Sequence, residues 1–182
     1  MNASEVFFPK KVNFFDAKVL EKICDIDLSQ FNFENNRYTT LKISKLIEFL
    51  SINIPKDKII FNSDLINIEE YEKLKLSFSD NREEEFDYIV AADGVYSRTK
   101  EILFKKEGTP NYFNSIALRG NIQNFENLDI SLYLGSNFHF VIYPVNQNNE
   151  FNFISIVRKK LIETEITNRS LFKDKSFINN LM

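Results

Sequence analysis

The chain has 182 residues, enough for one domain with a substantial core or for a large part of a bigger protein. It carries 23 basic and 26 acidic residues, and a net charge of −3 argues against general binding of nucleic acids or anionic membranes. A single cysteine excludes an internal disulfide and a cysteine-cluster metal site, and a single histidine excludes the two-histidine zinc motifs.

The spacing of the glycines and of the apolar residues excludes further classes of protein. The four glycines lie far apart, so these residues contain no glycine-rich phosphate cradle of the G-x-G-x-x-G or P-loop type. No stretch approaches the ~18 uncharged apolar residues of a membrane-spanning helix. The N-terminal residues lack the apolar core of a signal peptide. Without a disulfide either, the sequence predicts a cytoplasmic protein with no membrane span.

The first part of the chain predicts two strands and a helix. Strands are expected at Lys11–Phe15 and Ile23–Leu28. Apolar residues then recur with the spacing of one helix face, at Ile43, Leu46, Ile47 and Leu50. Thr39 or Thr40 is placed to cap the start of this helix.

The middle of the chain predicts strands that lead into a second helix. The expected strands are Lys58–Asn62, Leu65–Glu69, Leu74–Phe78 and the most apolar one, Phe86–Ala92. Residues 79–81, Ser-Asp-Asn, are typical of a hairpin turn. The second helix is expected from about Ser97 to Lys105.

The last part of the chain has a β-like composition. After a linker at Gly108–Pro110, strands are expected at Ser115–Ile122, Ile130–Leu134, His139–Pro144 and Phe151–Arg158. A final helix is expected from Asn168 to Leu181. This order of strands and helices predicts an α+β, or mixed α/β, fold.

Asp93 follows the apolar strand and has two interpretations. At the carboxyl end of a buried strand, its carboxylate would accept hydrogen bonds from ligand hydroxyls, and Gly94 would allow a ligand to approach closely. Ser97 would cap a helix whose N-terminal amides favour an anion such as pyrophosphate. Alternatively, Asp93 and Gly94 form an ordinary turn and Ser97 is only a cap. The residues alone leave both interpretations open.

A resemblance bears on this choice. The segment Asp87–Lys100 resembles the second FAD-binding motif of the flavin-dependent aromatic hydroxylases, which include salicylate hydroxylase and p-hydroxybenzoate hydroxylase. That motif consists of an apolar strand, Ala-Asp-Gly, two variable residues, Ser and, three positions later, Arg. Lys100 stands here in place of the Arg, which is a mild departure.

Three other segments occur in the order that the family has. Arg37–Leu41 resembles its Arg-x-x-Leu segment, with one extra residue before the Leu. Ala117–Gly120 resembles its aromatic-Arg-Gly strand, with Leu118 at the aromatic position. His139–Pro144 resembles the His-x-x-x-Tyr-Pro segment of salicylate-hydroxylase-like members. The ordered set is more specific than any one motif.

The resemblance implies a flavin enzyme. The implied activity is hydroxylation of an aromatic small molecule, with FAD as cofactor, NADH or NADPH as electron donor, and oxygen. The implied cofactor-binding residues are Arg37, Asp93, Gly94 and Ser97. The implied catalytic residues are Arg119, which would stabilise an anionic oxygen, His139 as a proton relay, and Tyr143 as a hydrogen-bond donor to substrate. Because His139 and Tyr143 are four apart on a strand, they share one of its sides.

The same resemblance implies an incomplete enzyme. The family's opening glycine-rich segment and its later Gly-Asp motif have no counterpart, so the chain is expected to be a middle portion, truncated at both ends. Residues 1–107 would be part of the FAD-binding domain with inserted strands, and residues 108–182 part of a β-rich substrate domain. The missing flanking segments would be the partners, and their absence would leave Tyr88, Ile89 and Val90 uncovered. The alternative is a non-catalytic α+β binding or assembly module.

Overall fold

The structure is a computed structural model that describes residues 2–33, 36–105, 111–168 and 170–181. The combination of helices and sheets confirms the expected α+β class. The chain divides into two compact units, Met1–Asn53 with Phe113–Met182, here called the sheet unit, and Ile54–Tyr112, here called the small unit. The expected linker at Gly108–Pro110 lies outside the described residues. The expected division of the chain between residues 107 and 108 stays a prediction.

Strands and helices are numbered along the chain. The strands are β1 (Val6–Phe7), β2 (Lys11–Asp16), β3 (Lys22–Asp27), β4 (Thr40–Leu41), β5 (Leu65–Glu70), β6 (Leu74–Phe78), β7 (Glu83–Phe86), β8 (Ser115–Gln123), β9 (Ile130–Leu134), β10 (Phe138–Pro144) and β11 (Glu150–Arg158). The α-helices are α1 (Ile43–Ser51), α2 (Arg98–Phe104), α3 (Glu163–Thr167) and α4 (Lys175–Asn179). The expected strands of the last part are therefore confirmed within one or two residues.

The sheet unit is built on six of these strands, in the order β3-β2-β9-β10-β11-β8. The β2–β9 pair is parallel, and the other neighbours are antiparallel. A separate short pair joins β1 to β4. The core lies on one face of the six-stranded sheet, where Phe151 is fully buried and Ile142 is 1% exposed. The two-residue alternation of the β10 and β11 sequences produces this arrangement, since alternate side chains point to opposite faces.

The helix α1 confirms the predicted amphipathic helix but not its predicted cap. Lys42 occupies the N-cap position and makes no side-chain capping bond. Thr40 instead lies in β4, where its hydroxyl donates to the carbonyl of Pro144 at 2.5 Å. The predicted apolar face of α1 is largely open, because Ile43 is 75% exposed and Ile47 is 60% exposed within the described residues.

In the small unit, β5, β6 and β7 form an antiparallel sheet. The predicted turn at residues 79–81 connects β6 to β7, and Asn81 takes the left-handed conformation with φ of 64°. The strand expected at Lys58–Asn62 is wrong. A single 3-10 turn occupies Lys56–Lys58, and the residues after it pair with no strand that the structure describes.

The predicted buried strand at Phe86–Ala92 is also wrong. The strand β7 ends at Phe86, and the residues that follow form no ladder with other described residues. Tyr88 is 89% exposed and Val90 is 93% exposed. An apolar run becomes a buried strand only when neighbours pair with its backbone and cover its side chains, and the described part of the small unit offers neither. The expected exposure is confirmed at Tyr88 and Val90, whereas Ile89 is half-buried and so does not meet the expectation.

The single helix predicted at Asn168–Leu181 is replaced by shorter elements. Among the described residues, α3 ends at Thr167, a 3-10 turn spans Leu171–Lys173, and α4 begins after Asp174. The Asp174 carboxylate accepts from the Phe177 amide at 2.9 Å and so starts a new helix where a continuous one was expected. No helix in the described parts of the chain is long and apolar enough to cross a membrane.

Candidate functional site

Asp93 stands five residues before α2 and is bound to its first turn. One carboxylate oxygen accepts from the Ser97 hydroxyl at 2.6 Å, and the other accepts from the Thr99 amide at 2.9 Å. The Ser97 hydroxyl oxygen accepts in turn from the Lys100 amide at 3.0 Å, which confirms Ser97 as the cap. These donors lower the pKa of Asp93 from 3.8 to about 2, first through Ser97 and then through Thr99. Asp93 is therefore an anion at neutral pH.

This arrangement changes the expected role of the helix end. The amides of Thr99 and Lys100 are already bonded to Asp93 and Ser97, so they are not free to bind pyrophosphate. With seven residues, α2 also has only a small dipole. The open feature of the turn is Gly94. Its φ is +79°, and a Cβ built there would meet nothing within 4 Å.

Arg37 belongs to the sheet unit, in the irregular segment before β4. Its side chain is exposed, and its guanidinium carbon lies 5.4 Å from the centre of the Phe8 ring. An arginine held over an aromatic ring keeps its charge and its forked donors available to an anion. Arg37 and Asp93 therefore belong to different units.

A large cavity lies on one face of the six-stranded sheet. Its volume is about 920 Å³, and its walls include Leu118, Phe138, Phe140, Phe153 and Ser155, with Phe172 from the C-terminal segment. We call this cavity the aromatic chamber. Ser136 and Asn137, in the β9–β10 turn, add polar groups to its border. A mostly apolar cavity with a few polar groups is the usual form of a small-molecule site.

The floor of the chamber is part of a row of aromatic rings that crosses four strands. Phe153 stacks on Phe140 with ring centres 5.6 Å apart, and Phe140 is 6.0 Å from Tyr133. Tyr133 stacks on Phe15 at 5.0 Å. Residues paired in register share a face of the sheet, so four neighbouring strands each supply one ring. Phe140 and Phe153 of this row line the chamber and give it an aromatic, apolar floor.

The three predicted catalytic residues do not lie on the sheet face that forms the floor of the chamber. Strand alternation puts His139 and Tyr143 on the sheet face opposite Phe140. Arg119 pairs with Ile154 and so shares the face of Tyr143, but it stands on the edge strand β8 and also borders the chamber. The prediction that His139 and Tyr143 share one side is confirmed. Their catalytic roles stay a prediction.

The charge of Arg119 acts on Tyr143. Burial raises the pKa of Tyr143 above its usual value, and the positive charge of Arg119 opposes that rise. Tyr143 is therefore a neutral phenol at neutral pH that can donate a hydrogen bond. His139 is exposed and borders a smaller cavity beside the β9–β10 turn.

The walls of the chamber were not predicted as functional residues. Phenylalanine side chains are usually buried in a protein core, so their presence in the sequence does not by itself indicate a binding site. The available signal was the spacing of Phe138 with Phe140 and of Phe151 with Phe153, since residues two apart face the same side. That spacing predicts an aromatic face, but only the strand pairing shows that one part of the face is buried and another part lines a cavity.

Known proteins with similar sequences are flavin enzymes. A flavin-dependent monooxygenase of Legionella longbeachae is 29% identical over 107 residues, which cover 58% of this chain and 26% of the relative. An FAD-dependent monooxygenase of Gibberella moniliformis is 26% identical over 125 residues, covering 62% of this chain and 28% of the relative. The matched residues thus span about a quarter of the length of each of these two relatives. No family model matches the chain.

Solved structures show the same fold. HpxO of Klebsiella pneumoniae, determined with FAD and uric acid, matches with a TM-score of 0.72 and 18% identity over 92% of this chain and 45% of its own. A salicylate hydroxylase determined with substrate matches with a TM-score of 0.66 and 16% identity over 87% of this chain and 44% of its own. Over the matched residues, the chain has the fold of flavin hydroxylases. The resemblance to FAD-dependent monooxygenases seen in the motifs is confirmed.

Proposed function

We propose that the chain is a portion of an FAD-dependent monooxygenase that hydroxylates a planar aromatic small molecule. The observation that carries this proposal is the aromatic chamber, located on a sheet whose fold is shared with flavin hydroxylases. NADH or NADPH would supply the electrons. A cytoplasmic location, where the single thiol stays reduced, belongs to the same proposal.

The residues present fit part of an FAD site. Asp93 is ionised and retains further lone pairs for hydroxyl groups, and Gly94 leaves open space beside it. Arg37 offers an exposed cation to phosphate. The amides of Thr99 and Lys100 at the start of α2 are bonded to Asp93 and Ser97, so they would not hold the pyrophosphate. Within the small unit, Asp93 and Gly94 would therefore hold hydroxyl groups of FAD, while flanking segments of the same enzyme would supply the phosphate cradle.

The chamber would bind the substrate. Bound FAD supplies the redox chemistry with oxygen, so the protein has to orient the substrate and exclude water. The stacked rings of Phe140 and Phe153 would hold a planar ring, and Ser155 would offer a hydroxyl to its substituents. HpxO was determined with uric acid, which is a planar molecule, and the salicylate hydroxylase was determined with substrate.

The predicted catalytic residues have unequal support. Arg119 borders the chamber, so its charge would stabilise an anionic substrate oxygen there. Tyr143 lies on the opposite face of the sheet, so its role as a hydrogen-bond donor to substrate would require a ligand on that face. His139 lies on that face too and is exposed, so a role as proton relay requires a ligand at the β9–β10 turn.

The experiment is a comparison of flavin binding and turnover. The chain would be purified, titrated with FAD and followed by visible absorption, in parallel with a chain extended by the upstream part of the reading frame. We expect weak or no binding by the chain and stoichiometric yellow protein with the extension. The extended protein should then consume NADH or NADPH with salicylate or urate as trial substrates. Failure of both forms to bind FAD would rule out the proposal.

A non-catalytic α+β binding module is the second candidate. It is favoured by the hydrogen bonds of Asp93, because capping of α2 explains Asp93, Gly94 and Ser97 without any ligand. The variant Asp93→Ala separates the two candidates. In a flavoenzyme it should weaken FAD binding by the extended protein, whereas in a binding module it should only loosen α2. The matched control Asp87→Ala removes a carboxylate that is paired with Lys73 in the same unit.

A further inference from the structure

We propose that Gly120 and Gly135 set the shape of the aromatic chamber by giving two phenylalanine rings room to lie against the backbone. The inference deepens the proposed function and rests on the chamber being its substrate site. These rings, Phe153 and Phe138, both line the chamber. Each glycine would therefore determine which planar ligands fit, although neither has a side chain to contact them.

The Gly120 position shows this directly. Gly120 in β8 is paired in register with Phe153 in β11, so the two residues face each other across the strands. A Cβ built on Gly120 would lie 2.6 Å from two atoms of the Phe153 ring. That distance is far inside van der Waals contact, so any larger residue at position 120 must displace the ring.

The neighbours of the Phe153 ring decide what its displacement would change. The tip of the ring lies against Gly120, and the ring stacks on Phe140 with ring centres 5.6 Å apart. A methyl group at position 120 would displace the tip of the ring, and because Phe153 lines the chamber, that displacement would change the shape of the cavity. The atoms that clash are at the tip of a flexible side chain, so the shape of the cavity should change more than the stability of the fold.

Gly135 has the same relation to Phe138 within the β9–β10 turn. Its amide donates to the Phe138 carbonyl at 2.9 Å, which brings the two residues together. A Cβ built on Gly135 would lie 2.5 Å from the Phe138 ring. Phe138 remains 41% exposed, so this ring forms a wall at the edge of the chamber. Two glycine and phenylalanine pairs thus fix two separate walls.

The test uses Gly120→Ala in the full chain, with salicylate as the planar probe and NMR as the readout. We expect the variant to bind salicylate about tenfold more weakly, the effect of one methyl group in a well-packed pocket. In the background of Phe153→Leu, Gly120→Ala should weaken binding no further than Phe153→Leu does alone, because the shorter side chain leaves room for the methyl group. The exposed residue at the end of β8 gives the control Gln123→Ala, which should bind as the original chain does.

A second readout separates this inference from the proposed function. The ring current of Phe153 should displace the α-proton resonances of Gly120, and Phe153→Leu should abolish that shift. Unchanged Gly120 resonances in Phe153→Leu would overturn the inference, as would unweakened binding by Gly120→Ala. If the original chain binds no salicylate, the substrate role of the chamber fails, and the Gly120 resonances alone decide whether the glycine places the ring.

Discussion

The sheet unit and the small unit use similar apolar residues in opposite ways. In the sheet unit, Phe151 is fully buried and packs edge-on against Phe125, with ring centres 5.7 Å apart. In the small unit, Tyr88 and Val90 follow β7 and are 89% and 93% exposed. The difference shows that apolar sequence specifies a strand only where neighbouring strands are available to pair with it.

The contrast can be tested first through core stability. Phe151→Ala should destabilise the sheet unit by about 3–5 kcal/mol, because a buried ring leaves a cavity. Phe61→Ala in the small unit removes a ring that is 78% exposed, so it should change stability by no more than about 0.5 kcal/mol. Urea denaturation of both variants measures the two effects. Equal losses would contradict the assigned difference in burial.

The exposed segment of the small unit should drive self-association. An apolar stretch with unpaired backbone groups is a template for pairing with another chain. We expect the purified chain to form dimers or larger species, and Tyr88→Lys with Val90→Lys to lower its mass in size-exclusion chromatography with light scattering. The control is Leu20→Lys, which charges an exposed residue of the sheet unit. A monodisperse original chain would remove the basis for this expectation.

The cap of α2 makes a smaller local contribution. Ser97→Ala removes the acceptor of the Lys100 amide and one donor to Asp93, and should cost about 1 kcal/mol. Ser97→Thr keeps a capping hydroxyl and should restore most of the loss. Hydrogen exchange of the α2 amides measures both variants. If the alanine variant exchanges like the original, the cap is not what begins the helix.

The charge of Asp93 should make the stability of the N-terminal end of α2 depend on pH. Its folded pKa of about 2 lies below the ordinary 3.8, so its stabilising effect is complete above 3.8 and is lost as the pH falls through 2. The Thr99 amide resonance should move over this interval in the original chain and remain constant in Asp93→Asn. A midpoint near the ordinary value would show that the carboxylate does not accept these bonds in solution.

The smallest effect concerns Tyr143 in the sheet unit. Because the Arg119 charge holds its pKa down against burial, Arg119→Gln should raise the midpoint of its phenolate absorption further. Arg158→Gln changes an exposed charge on β11 and serves as the control. Subtracting the spectrum of Tyr143→Phe isolates this tyrosine. A midpoint that is unaffected by Arg119→Gln would mean that the two residues do not interact.

The sequence predicted the sheet unit better than the small unit. The strand expected at Ile130–Leu134 is confirmed residue for residue, since both neighbours that its pattern requires lie within the chain. The strand expected at Phe86–Ala92 failed because its pattern predicts burial without specifying what covers it. The predicted C-terminal helix failed for a local reason, because Asp174 caps a new turn inside it.

The candidate site was predicted in part. Motif residues such as Ser97 are where the sequence suggested, because a capping bond is local and depends on four successive residues. The aromatic chamber was missed, because it requires Phe140 and Phe153 to meet from separate strands and depends on register. The contact between Gly120 and Phe153 could not be predicted either, because the two residues are 33 positions apart in the sequence and meet only through the pairing of β8 with β11.

The row of rings across the sheet also has an optical consequence. The chain contains no tryptophan, so its near-ultraviolet signal comes from tyrosine and phenylalanine. Tyr133 is held between Phe15 at 5.0 Å and Phe140 at 6.0 Å, in a fixed and asymmetric setting. Near-ultraviolet circular dichroism should therefore report on this stack, because such bands depend on fixed tertiary packing. Because Phe140 belongs to the stack and lines the chamber, a ligand that binds there should change the circular dichroism signal, so its binding can be followed without an attached dye.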